Sequence, residues 1–194
     1  RYLLTLTLRN DGSSRFSPDN QWGLFPSAAF AWRVINEPFM ANAGNVMSDL
    51  KLRLGYGVTG QQNLGSGDYP WMGRYSYSQA GANYFFGDQM VSLIRPLAYD
   101  ENLKWEETTT YNAGLDYGFL NNRINGTFDV YYRKTTDLLN TVGIAAGTNF
   151  SNQLLTNVGE LENKGVEFSI TGRPIVSKDW NWNVLRKVLS KKDY

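Results

Sequence analysis

The chain has 194 residues, of which 42% are hydrophobic and 14% aromatic, enough apolar mass for a folded domain and too much for a disordered or low-complexity segment. With 19 basic and 18 acidic residues the formal charge is +1, so no overall field calls for nucleic acid or an anionic surface. Cysteine and histidine are absent, which removes disulfides, zinc–thiolate sites and the common catalytic triads. No apolar run is long enough for a transmembrane helix, and no signal peptide stands at Arg1, where the chain opens in mid-pattern; the natural start is expected upstream.

Apolar and polar residues alternate in one stretch after another, the period of a strand. Tyr2 to Arg9 sets Tyr2, Leu4, Leu6 and Leu8 against Thr5, Thr7 and Arg9. Leu24 to Arg33 sets Leu24, Ala28, Phe30 and Trp32 against Ser27 and Arg33. In Asp49 to Thr59, Leu50, Leu52, Leu54, Tyr56 and Val58 share one face, and Lys51, Arg53, Gly55, Gly57 and Thr59 the other. That apolar face is unbroken for about ten residues, the length a tilted strand needs to cross a bilayer. Trp105 to Phe119 gives the cleanest alternation, and Arg123 to Arg133 returns with Ile124, Phe128, Val130 and Tyr132 on one side. Asn121 and Asn122 between them predict a tight turn with positive φ. Val166 to Arg173 is a sixth strand, and Trp180, Trp182 and Val184 begin a seventh.

The connections alternate too. Asn10 to Gln21, Gly60 to Lys104 and Leu138 to Glu162 are long or rich in turn residues and belong on one side. Asn36 to Ser48, the Asn121 and Asn122 turn, and Val176 to Asp179 belong on the other. Outer-membrane barrels have short periplasmic turns and long extracellular loops. The expected fold is therefore all-β: an antiparallel transmembrane β-barrel segment, about seven strands of a larger barrel, with its first strand running outward.

Particular segments resemble a known family. Arg9-Asn10-Asp11-Gly12-Ser13-Ser14-Arg15-Phe16, Trp22-Gly23-Leu24-Phe25-Pro26-Ser27, Leu50 through Gln61, Asn112-Ala113-Gly114-Leu115-Asp116-Tyr117-Gly118-Phe119, and Asn157-Val158-Gly159 with Asn163-Lys164-Gly165-Val166-Glu167 are similar to the barrel of SusC/RagA-type TonB-linked (TonB-dependent) outer-membrane transporters. The likeness runs in order from about Arg1 to Val184. It implies an importer of Gram-negative Bacteroidota, energised by TonB through an N-terminal part not present here. The cargo would be an oligosaccharide or peptide, taken up beneath a SusD-like surface lipoprotein. Family members are several times longer, with a plug and a barrel of about twenty-two strands, of which this chain would supply roughly a third. Residues 1–184 are thus read as part of the barrel. Residues 185–194 lack strand alternation and are read as an atypical basic tail, whether a truncation product, a frameshift or an appended sequence.

Catalysis, cofactors and metals find little support. Gly55-Tyr56-Gly57-Val58-Thr59-Gly60 matches a dinucleotide-binding pattern, but no helix follows to hold a pyrophosphate. The pairs Asp100/Glu101, Glu106/Glu107 and Glu160/Glu162 would need to face one cleft, and neighbours in a strand point apart; solvated loop and lumen charges account for them. A calcium site at Asp100 and Glu101 lacks a recognisable ligand spacing. Asn125-Gly126-Thr127 and Asn149-Phe150-Ser151 fit the glycosylation tripeptide, the first inside a strand.

The binding candidates are aromatic. Tyr69, Trp71, Tyr75, Tyr77, Tyr84, Phe85 and Phe86 lie in the longest loop among Ser, Gly, Gln and Asn, a mix that packs the loop itself or contacts a ligand or a lid. Trp22, Trp32 and Trp105 lie near strand ends and are expected in the interfacial girdle next to outer-membrane lipid. Two alternatives stay open: a soluble carbohydrate-binding β-sandwich, whose strands would bury one apolar face, and a passive porin or adhesin barrel.

Overall fold

The computed structural model describes residues 1–44, 46–65, 67–77, 83–145 and 151–193. In chain order its strands are β1 (Tyr2–Gly12), β2 (Trp22–Arg33), β3 (Met47–Gln61), β4 (Arg74–Tyr77), β5 (Asn83–Phe86), β6 (Gln89–Ser92), β7 (Ile94–Leu97), β8 (Glu106–Phe119), β9 (Ile124–Thr136), β10 (Leu139–Gly143), β11 (Gln153–Asn157), β12 (Leu161–Val176) and β13 (Asn181–Asp193). Seven of them form one antiparallel sheet in the order β1-β2-β3-β8-β9-β12-β13. Each long strand therefore pairs with the next long strand in sequence. The six remaining short strands form three hairpin ladders inside the long loops, β4 with β7, β5 with β6 and β10 with β11.

Register shows why the alternation matters. One row of cross-strand partners runs Leu4, Phe30, Leu54, Ala113, Val130, Val166 and Ser190; the next runs Tyr2, Trp32, Leu52, Leu115, Phe128, Phe168 and Val188. Both lie on one face, and a slip of one residue in any strand would turn its apolar side chains inward. The second row starts at the short-turn end of β1 and β2 yet meets β12 and β13 well inside those strands, the stagger of strands tilted in a barrel wall.

This apolar face is uncovered. Leu4 is 64% exposed and Leu6 70%, with Leu8, Leu54, Tyr111, Phe128, Val130 and Val188 also exposed, so the sheet is not one layer of a sandwich packed on its apolar side. The buried hydrophobic core lies instead at the long-loop end: Phe16, Phe25, Leu64, Leu103 and Trp105, with Val58, Trp71, Leu139 and Leu155 packed against it. It fills the space where β2 parts from β3. Their pairing stops at Ser27 opposite Gly57, whereas β3 stays paired with β8 as far as Gln61 opposite Glu106.

The short connections follow the sequence reading. The turn between β8 and β9 holds Leu120, Asn121 and Asn122 at φ 52°, 58° and 60°, so the left-handed backbone expected of the two asparagines begins one residue earlier. Between β2 and β3 the chain makes two short 3₁₀ turns, Val34–Asn36 and Pro38–Ala43. Glu37, buried between them, accepts hydrogen bonds from Arg1 Nε at 2.7 Å, Tyr2 Oη at 2.7 Å and Trp32 Nε1 at 2.9 Å, and pairs with Arg1 Nη2.

Two readings are corrected. Trp105 is 6% exposed, inside the loop core, with its ring 5.0 Å from Phe16 and its Nε1 donating to the Gln21 carbonyl at 3.2 Å, so it is not a lipid-facing girdle residue. Residues 185–193 are strand: Leu185 pairs with Thr171, and pairing continues to Asp193 opposite Asn163. Backbone hydrogen bonding to the free edge of the 16-residue β12 does not require side-chain alternation, and Lys187 reaches Glu167 at 3.3 Å.

Candidate functional site

The inward face of the sheet is built from paired charges. Arg53 on β3 lies opposite Gly114 on β8, which lies opposite Asp129 on β9. With no side chain at Gly114, the guanidinium crosses β8 and meets Asp129 Oδ1 at 2.9 Å while also holding Asp116 Oδ1 at 2.8 Å. A Cβ at Gly114 would lie 2.4 Å from Asp129 Oδ1 and 2.7 Å from Arg53 Nη2. Lys51 adds a second cation on Asp116 at 3.1 Å, and Arg33 reaches Asp49 at 3.2 Å. Sequence reasoning placed these residues on the polar side but missed the bridge. The signal was a glycine at an inward position between a cation and an anion on the neighbouring strands.

The outer face uses the same device. Tyr117 lies opposite Gly126, reaches across it and donates to the Ser169 carbonyl at 2.9 Å, its ring stacked 6.3 Å from Phe168. Asn125, in one glycosylation tripeptide, lies inside β9; Asn149 and Phe150 of the other fall outside the described residues.

At the long-loop end the three loops hold one another. Asn20 Nδ2 donates to the Asn102 carbonyl at 3.1 Å, the Lys104 amide donates to Asn157 Oδ1 at 2.9 Å, and Thr156 Oγ1 donates to Asp100 Oδ2 at 2.5 Å. The acidic pairs are engaged in this framework. Asp100 Oδ1 accepts from the Asn102 amide at 2.9 Å, Glu106 Oε2 from the Leu139 amide at 3.1 Å, and Glu160 and Glu162 lie 2.8 Å and 3.7 Å from Lys134 Nζ. Residues Gly55 to Gly60 are strand throughout, and among the described residues no helix follows them.

The candidate aromatics divide into two groups. Trp71 packs against the loop core and its Nε1 donates to the Ser14 carbonyl at 3.3 Å. Tyr69, with φ 55°, begins the turn that leads to it. Tyr75 and Tyr77 on β4, and Tyr84, Phe85 and Phe86 on β5, stand exposed on the two ladders of the longest loop, Tyr77 the most at 79%. Tyr84 and Phe86 touch, with ring centroids 6.0 Å apart. The hairpin tip that carries them was legible in Gly87-Asp88 between Asn83 to Phe86 and Gln89 to Ser92; Gly87 has φ 60°.

Residues 1–191 match the family described as TonB dependent receptor-like, beta-barrel. The chain is 57% identical over 184 residues to TonB-dependent receptor SusC of Bacteroides thetaiotaomicron, covering 95% of this chain and 18% of that protein. It is 38% identical to TonB-dependent receptor P3 of Formosa agariphila, covering 94% of this chain and 18% of that one. Among solved structures it resembles the RagAB peptide importer in the closed-closed state, with TM-score 0.83 and 29% identity over 99% of this chain and 20% of that one. The open-open state gives TM-score 0.80 and 30% identity, over 99% and 20%. The chain thus spans about a fifth of the length of the relatives it matches. An uncovered apolar face, an inward face of paired charges and these likenesses agree: the chain belongs to the TonB-dependent receptor-like β-barrel family, as a stretch of the outer-membrane barrel of a receptor of the SusC/RagA type.

Proposed function

We propose that this chain forms part of the wall of an importer that carries an oligosaccharide or peptide across the outer membrane. A SusD-like lipoprotein would cover its long loops, and TonB would act through parts of the receptor outside this chain. The observation that carries the reading is the two-faced sheet capped by an ordered loop cluster, from which Tyr75, Tyr77, Tyr84 and Phe85 project exposed. Large amphipathic rings held on a rigid framework supply contact area at low entropic cost, whether they stack on a cargo or seat a lid. Tyr69 and Trp71 shape the base of that surface.

The experiment is replacement of Tyr75, Tyr77, Tyr84 and Phe85 by Ala in a complete receptor carrying this segment. Uptake of oligosaccharide and peptide nutrients and co-purification of the lipoprotein are measured beside the amount of receptor in the outer membrane. Uptake or lid association should fall at least tenfold, the loss of one well-packed aromatic contact or more, with abundance unchanged. Normal uptake and normal lid association would reduce these rings to loop packing.

A further inference from the structure

We propose that one face of the β4–β7 ladder, in the longest loop, is a binding site for a carboxylate carried by the cargo. The inference rests on the reading that these loops meet what the receptor imports. Residues two apart in a strand share a face, so Arg74 and Ser76 stand together on β4, on the side away from Tyr75 and Tyr77. The register sets Ser76 directly across from Arg95 on β7, and Arg74 across from Leu97. Arg95 is therefore the diagonal neighbour of Arg74, within reach of long side chains. Arg95 is exposed, and among the described residues no carboxylate is in ion-pair contact with either arginine. Asp68 gives Arg74 its backbone carbonyl, which accepts from Nη1 at 3.4 Å, while its carboxylate is held by Arg15 Nε at 3.2 Å.

Two atoms on this face lack what the rest of the loop supplies. Arg74 Nε and Ser76 Oγ are buried and have no hydrogen-bond partner, the only such side-chain atoms among the described residues. A polar atom shut off from both water and protein keeps its desolvation cost with no return, so the pair marks a place where an acceptor is missing. Both atoms can donate. Two guanidinium groups on neighbouring strands also repel each other, and an anion between them turns that repulsion into attraction. A carboxylate answers each of these demands. Its two oxygens match the planar fork of one guanidinium, one of them can also accept from the serine hydroxyl, and Arg95 supplies the second charge. Arg74 and Ser76 are partly exposed as residues, so rotation of the arginine's own long side chain opens the two atoms to a ligand without moving the ladder. Acidic sugars and peptides both carry carboxylates, so the site selects by charge, while the rings on the other face supply contact area.

The test measures binding to a complete receptor carrying this segment, purified in detergent, by isothermal titration calorimetry. The probes are trigalacturonate and triglutamate, with maltotriose and triglutamine as uncharged counterparts. At least one acid should bind roughly tenfold more tightly than its counterpart, and which one does identifies the source of the carboxylate. That preference should vanish in R74Q/R95Q. R74K/R95K keeps the charge but loses the fork and should weaken acid binding roughly fivefold; S76A should weaken it roughly threefold. If the double glutamine variant fails to assemble, Arg95→Gln alone decides, with an expected loss of roughly threefold. Acids and counterparts bound alike, no binding of either acid, or a preference that survives R74Q/R95Q overturns the proposal. So does loss of lipoprotein co-purification in R74Q/R95Q with acid binding intact, which would give the arginines to an acidic residue of the lid. Binding is read on the purified receptor and not as uptake, so its failure leaves the import reading to the tyrosine and phenylalanine variants.

Discussion

Two glycines separate what a side chain costs when its neighbour can move from what it costs when it cannot. At Gly114 the atoms in the way are the flexible ends of Arg53 and Asp129. At Gly126 a Cβ would meet the Ser169 backbone carbonyl at 2.0 Å and Tyr117 Oη at 2.5 Å. Gly114→Ala should therefore displace the Arg53–Asp129 pair and cost about 1 kcal/mol, a modest sum because both groups are partly solvated. Gly126→Ala must move backbone in two strands and should cost about 1–3 kcal/mol. Urea unfolding in detergent micelles reads both. A larger loss at Gly114 would mean that the inward bridge, not the outer tyrosine joint, holds the wall together.

At the scale of the strand, the expectation is that a face tolerates charge according to its solvent. Leu52 and Leu115 are cross-strand partners in the outward apolar rows, whereas Thr5 and Thr110 face inward. Arg at Leu52 or Leu115 should cost roughly 2–4 kcal/mol and lower the assembled receptor in the outer membrane, while Arg at Thr5 or Thr110 should leave it near normal. Equal abundance in both sets would invert the assignment of faces. These faces were legible because period two is a local property: Leu50 to Val58 declares its side without knowing its neighbours. The Asn121 and Asn122 turn was legible for the same reason. What was not legible depends on partners distant in sequence. Trp105 continues the parity of Tyr111 and so looked lipid-facing, yet Phe16 and Phe25 draw it into the loop core. Residues 185–193 show no pattern of their own, and only the edge of β12 makes them a strand. Within the candidate site, the composition of the longest loop singled out the aromatics but could not tell Trp71, tied to Ser14, from Tyr77, which projects freely.

For the whole chain, the sheet ends at β1 and β13 with two edges that no strand within it pairs, and its outward face lacks a covering layer. Unsatisfied backbone groups cost several kcal/mol each in lipid, and exposed edges in water recruit other copies. Expressed alone and without detergent the chain should aggregate on size-exclusion chromatography; a monodisperse monomer with a sharp melting transition would contradict the barrel assignment. The unequal connections also order events in time. Closing β8 on β9 through residues 120–123, or β12 on β13 through residues 177–180, constrains far less chain than closing β3 on β8 across residues 62–105. Phe16, Leu64 and Leu103 come from different loops or different parts of one loop, so their cluster can assemble only after the slow seams have closed. It acts as a clasp fastened last. Leu103→Ala should then accelerate unfolding in proportion to a loss of about 2–5 kcal/mol while leaving the folding rate nearly untouched, a pattern that both arms of a urea chevron would show. The residues that cap the mouth of the wall thereby govern how long it lasts once formed, and have little say in how quickly it arrives.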